Sequence, residues 1–128
     1  MNLVLDSGGV SALAGQRARL AELRRRGAWP PQVPTAVLVE VLTGDHRRDF
    51  HENHLLGMCQ IRPVNEQIAR NGARMRTATG RAHDISATDA VVAAFAVSLR
   101  DAIVLTSDPA DLTDLVRTQT MPVTISAV

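Results

Sequence analysis

Short apolar runs alternate with helical segments along all 128 residues, and that alternation restricts the fold more than any other feature. Runs at Asn2–Leu5, 58-MCQIRPV-64, Ala102–Leu105 and 122-PVTIS-126 have the length and the aliphatic content of strands. After the first run, Asp6 ends the strand and Ser7, Gly8 and Gly9 turn the chain into a short helix. A second helix covers Arg17–Arg26 and stops at Gly27. The segment 28-AWPPQV-33 is extended, since its prolines exclude a helix or a central strand. In 34-PTAVLVEVLTG-44, Thr35 is placed to cap a short helix and Gly44 to end it. The polar stretch 45-DHRRDFHENHLLG-57 is expected to be helical with one apolar face. Asn65 caps a helix running to Thr79 and closed by Gly80, and Ser86 opens 87-ATDAVVAAFAVSL-99. That last helix is apolar on nearly every face and is therefore expected to be buried. One more helix covers Pro109–Val116. Strands alternating with helices pack as a mostly parallel sheet with helices on both faces, so the fold class is α/β in one domain.

Composition excludes several classes. No apolar run approaches the roughly 20 residues of a membrane span. The start, 1-MNLVLD-6, reads as a strand without a signal leader, which places the chain in the cytoplasm. A single cysteine, Cys59, cannot form an internal disulfide or by itself a zinc site. Net charge is +1, and all fourteen positive residues are Arg, with no Lys. No glycine-rich phosphate loop occurs. The histidines of 51-HENH-54 are three apart rather than four, so the run reads as a surface helix and not a zinc-protease motif.

The acidic residues carry the functional signal. Asp6 and Asp108 stand just past the ends of apolar strands, and in an open parallel sheet those ends gather at one edge, where ligands bind. Singly, each has a plainer reading: Asp108 precedes Pro109 as an N-cap should, Asp111 fits a cap-assisting acid, and 86-SATD-89 fits a capping box completed by Asp89. Glu40 is harder to account for. Every other side chain between Val37 and Leu42 is Val or Leu, so its carboxylate is expected to be desolvated. Protonation, or an ion pair from elsewhere in the fold, would also explain it. Together, several carboxylates converging on one edge repel one another, and a hard divalent cation, Mg²⁺ or Mn²⁺, relieves that repulsion.

Four segments in order, 3-LVLDSG-8, 34-PTAVLVEVLTG-44, 86-SATDAVVAAFA-96 and 103-IVLTSDPADL-112, resemble the PIN-domain ribonucleases, most closely the VapC-like toxins of type II toxin–antitoxin pairs. The resemblance covers essentially the whole chain. It implies a PIN-like fold and a Mg²⁺- or Mn²⁺-dependent endoribonuclease. It also implies that Asp6, Glu40, Asp89 and Asp108 form the catalytic, metal-holding quartet, with Asp111 a further metal-site acid. Ser7, Thr106 and Ser107 match the small hydroxyl residues that support the site. The partners implied are an RNA substrate, a cognate antitoxin, and a second copy of the chain in a homodimer or toxin–antitoxin hetero-oligomer. Asp84 stands outside the pattern and is expected to solvate its loop or hold an outer water. Arginines at 24–26, 47–48, 70, 74, 76 and 81 are the candidates for phosphate contact. Leu20–Leu23 and Leu55–Leu56 are either partner contacts or core. Two other classes compete: a catalytically degenerate PIN-like binding module, and an aspartate-pocket phosphotransfer or receiver domain. The second needs a Lys beside the phosphorylated Asp, and this chain has none.

Overall fold

A computed structural model describes residues 1–128 in full. Five strands form one sheet: β1 (Asn2–Leu5), β2 (Gln32–Pro34), β3 (Gln60–Arg62), β4 (Ala102–Thr106) and β5 (Val123–Ala127). Seven helices connect them: α1 (Ser7–Leu13), α2 (Arg17–Arg25), α3 (Thr35–Val41), α4 (Phe50–Leu56), α5 (Glu66–Ala78), α6 (Ala87–Val97) and α7 (Pro109–Arg117). The sheet order is β3-β2-β1-β4-β5 and every pairing is parallel, so the α/β architecture is the one expected. The chain begins in the middle of the sheet, builds outward through β2 to β3, then crosses back to add β4 and β5 on the other side of β1. The direction of winding therefore reverses between β1 and β4, whose registers match Leu3 with Ile103 and Leu5 with Leu105.

The core follows from that order. Parallel strands covered on both faces read as continuous apolar runs, and Leu3, Val4 and Leu5 of β1 are all buried. Helix α6 packs into the same core through Ala90 and Val92 to Ala96, with Ser86 capping it by accepting from the Asp89 N–H at 3.0 Å. Burying each Val or Leu fully contributes about 1.5–3 kcal/mol. Leu55 and Leu56 of α4 are 1% and 7% exposed and belong to this core, which settles their role against partner contact. No helix is long and apolar enough to cross a membrane.

Three local expectations are corrected. The proline-rich segment does form an inner strand: β2 lies between β1 and β3. Pro30 and Pro31 precede it and Pro34 ends it, so the ladder positions at Gln32 and Val33 keep their N–H donors. Thr35 is the first helical residue of α3 rather than its cap; Pro34 holds the cap position, and the Thr35 hydroxyl instead accepts from the Val64 N–H. Helix α3 stops at Val41, before Gly44, because buried Asp49 takes over the chain beyond it. Its carboxylate accepts from the Thr43 N–H at 3.0 Å, the Thr43 hydroxyl at 2.8 Å and the Gly44 N–H at 2.9 Å, which holds its pKa low despite burial.

Candidate acidic site at the carboxyl edge of the sheet

Asp6 follows β1 and caps α1, accepting from the Gly9 N–H at 2.7 Å. The two glycines behind it make the site compact. A Cβ on Gly9 would stand 2.3 Å from the Leu105 carbonyl oxygen, and one on Gly8 2.1 Å from Ser107 Oγ. Only glycine lets the first turn of α1 lie directly on the end of β4, which sets Asp6 and Ser7 against Thr106 and Ser107. Asp6 is 5% exposed. Burial raises its pKa and the Glu40 charge adds to the rise, while the Thr106 hydroxyl and the Gly9 N–H oppose it. Thr106 is itself buried, and its hydroxyl accepts from the Asp108 N–H at 3.1 Å. The strand-end hydroxyl thus touches both acids that flank the reversal of the sheet.

Asp89 stands in the first turn of α6, half-buried. Its pKa is pushed up to about 6, first by burial, then by the charges of Asp6, Asp111 and Glu40, with Ser86 acting against the shift. Four acids from β1, α3, α6 and α7 therefore share one electrostatic field. Asp108 is exposed and caps α7, its side chain accepting from the Ala110 N–H at 3.4 Å, so the capping role expected for it is real. Glu40 differs from expectation. The face of α3 that carries it is open, Glu40 is exposed, and neighbouring Val39 is 83% exposed. The run of Val and Leu did not mark a buried face, so Glu40 bears no desolvation cost. It faces the same edge as the other acids through its effect on Asp6 and Asp89.

Asp111 has a partner that the sequence did not disclose. Arg81, in the loop between α5 and α6, donates to Asp84 Oδ2 at 2.7 Å, Asp111 Oδ1 at 2.8 Å and Asp114 Oδ2 at 2.5 Å. Asp84 accordingly titrates low, held by the Arg81 guanidinium. Neither a lone solvating acid nor a water ligand describes it. Arg81 is thereby removed from the phosphate-contact candidates. Others among them are also engaged: Arg24 lies 4.7 Å over the Trp29 ring, Arg25 and Arg26 pair with Glu22, and Arg70 pairs with Glu66. Arg74 donates to Asn71 and Arg76 to the Ile85 carbonyl. Arg47 and Arg48 are exposed and make no ion pair.

The donor set fits a hard cation: carboxylate oxygens that raise one another's proton affinity are relieved by divalent charge. The side chains do not stand as a ready coordination shell, since no three Asp, Glu, His or Cys side chains are arranged around a common ion position. A bound ion would require the exposed members, Glu40 and Asp108, to turn inward.

No family model and no curated protein sequence matches the chain. Solved structures do. A chain of DNA-bound VapBC from Salmonella typhimurium superposes with a TM-score of 0.74 at 13% identity, over 99% of this chain and 98% of that one. A chain of VapBC2 from Rickettsia felis, bound to a promoter DNA fragment, gives 0.73 at 13% identity over 100% and 99%. A chain of VapBC-1 from nontypeable Haemophilus influenzae gives 0.71 at 16% identity over 99% and 98%. At these identities the likeness is one of fold, and it is the PIN-like fold that the four sequence segments led us to expect.

Proposed function

We propose that this chain, whose fold is that of the VapBC chains, is the ribonuclease toxin of a toxin–antitoxin pair. One observation carries the reading: acids from separate elements converge where the sheet reverses, between the carboxyl ends of β1 and β4. That is where open α/β sheets bind ligands. Asp6, Glu40, Asp89 and Asp108 would hold Mg²⁺ or Mn²⁺. When bound, such an ion lowers the pKa of a coordinated water and steadies charge on an attacked phosphate. The chain's own residues do the rest. Thr106 and the Gly9 N–H fix the Asp6 carboxylate, and Ser86 fixes the start of α6 and with it Asp89. Asp108 stays solvent-facing at the mouth, beside Ser107. Arginines with no carboxylate partner, Arg47 and Arg48 among them, are the groups left to meet RNA phosphates. The VapBC neighbours support a protein antitoxin as partner.

The test is cleavage of total RNA by the purified chain in Mg²⁺ or Mn²⁺, with growth after induction as the cellular readout. Asp6→Asn and Asp89→Asn are expected to abolish both while circular dichroism stays unchanged. Full activity in both variants would sink the proposal. A second reading, a metal-free PIN-like binding module, rests on the absence of a ready coordination shell. Calorimetric titration with Mn²⁺ separates the two, because only the nuclease reading expects binding.

A further inference from the structure

We propose that Arg81 is a positioning residue that supplies the counter-charge for Asp111 and so limits the acidic edge to a single divalent cation. The inference rests on the metal-dependent reading above.

The ion pairs divide the acids into two groups. Asp84, Asp111 and Asp114 all bind Arg81, whereas Asp6, Glu40, Asp89 and Asp108 make no ion pair with any Arg or His. The first group has its cation built into the chain, and the second needs one from solution. The Arg81 guanidinium is a planar fork with fixed donor directions. Its Nε and Nη2 donate to Asp84, Nη2 also donates to Asp111, and Nη1 donates to Asp114. Asp111 and Asp114 are three residues apart on α7 and share a face. Asp84 lies in the loop that leads into α6 and Asp89. Arg81 therefore ties the approach to Asp89 to the first two turns of α7 and turns the Asp111 carboxylate toward this loop.

Two consequences follow. Asp111 is close enough to raise the pKa of Asp89, so it borders the unpaired group. A second divalent ion there would also stand beside a guanidinium held by three carboxylates and unable to withdraw without losing all of them. Like-charge repulsion opposes that ion. Asp111 thus sits at the site's rim as the ligand of an internal cation, and the site it borders takes one ion.

Calorimetric titration of the full chain with Mn²⁺ tests this, with electron paramagnetic resonance reporting spin coupling between adjacent ions. Wild type is expected to bind one Mn²⁺ and show no coupling. Arg81→Met is expected to bind two, with a coupled spectrum, and the Arg81→Met/Asp111→Asn double variant to return to one. Asp111→Asn alone, which leaves Arg81 on Asp84 and Asp114, is expected to keep one Mn²⁺, so the proposal stays testable if the Arg81 variant fails to fold. Two ions on wild type, one ion on a folded Arg81→Met, or loss of Mn²⁺ from Asp111→Asn would each overturn the inference while leaving a metal-dependent enzyme intact. No Mn²⁺ on wild type would overturn both readings together.

Discussion

Asp89 is ionised at neutral pH against its surroundings, and that cost can be removed by one atom. Burial and the charges of Asp6, Asp111 and Glu40 raise its pKa from 3.8 to about 6. At about 1.4 kcal/mol per pKa unit the charged form is disfavoured by about 3 kcal/mol, and by about 2 kcal/mol after allowing for the group's partial exposure. A raised native pKa means that the folded state holds the proton more tightly than the unfolded chain. The stability this provides is fully present below about pH 4 and is lost as pH rises through about 6. Asp89→Asn carries no such loss. In the metal-free protein the variant should match wild type at pH 4 and pull ahead between pH 4 and 6. Above pH 7 it should remain about 2 kcal/mol more stable, or roughly 6–10 °C in Tm for a domain of this size. Urea denaturation across that pH series, followed by circular dichroism in chelator, reads the effect. Adding Mn²⁺ should reverse the order, because a ligand that binds only the native state stabilises wild type and leaves the variant where it was. An Asp89→Asn protein no more stable than wild type at pH 7.5, or one whose advantage is the same at pH 4, would refute the electrostatic reasoning.

Two further outcomes are expected. Mn²⁺ affinity should weaken as pH falls below about 6, because the proton taken up by Asp89 competes with the ion, and calorimetry in buffers of different ionisation heat should register the proton released on binding. Gly9→Ala should destabilise the protein by about 1–3 kcal/mol, since the new Cβ meets the Leu105 backbone oxygen rather than a movable side chain. A fall in urea midpoint with an unchanged m-value is the signature, and an unchanged midpoint would show that α1 does not rest on β4 as described.

Much of the fold was legible because its determinants are local. The helix starts at Asn65, Ser86 and Asp108 are side-chain caps, each read from a polar residue before an apolar run and each found accepting from a backbone N–H within three residues. The burial of α6 followed from its lack of a polar face. Glu40 misled because a short helix of Val and Leu was taken as buried, while exposure depends on what covers α3, and Val39 shows that one side of it is open. The prolines around Gln32 misled because a rule about strand interiors was applied to a strand that keeps its prolines at the ends. Arg81 was read as a phosphate contact because its partners Asp111 and Asp114 lie 30 and 33 residues away, beyond any periodicity.

The sequence by itself determined the α/β class, the helix boundaries that rest on caps, and the placing of Asp6 and Asp108 at strand ends, since these depend on neighbours within one or two turns. Only the tertiary structure decided that β1 and β4 adjoin where the winding reverses, so that these two acids meet. It also decided that Asp111 belongs to Arg81 and not to the unpaired acids. Strand order and ion pairing between distant elements are set by packing across the whole domain, where burial and Coulomb energy depend on separation in space and not along the chain.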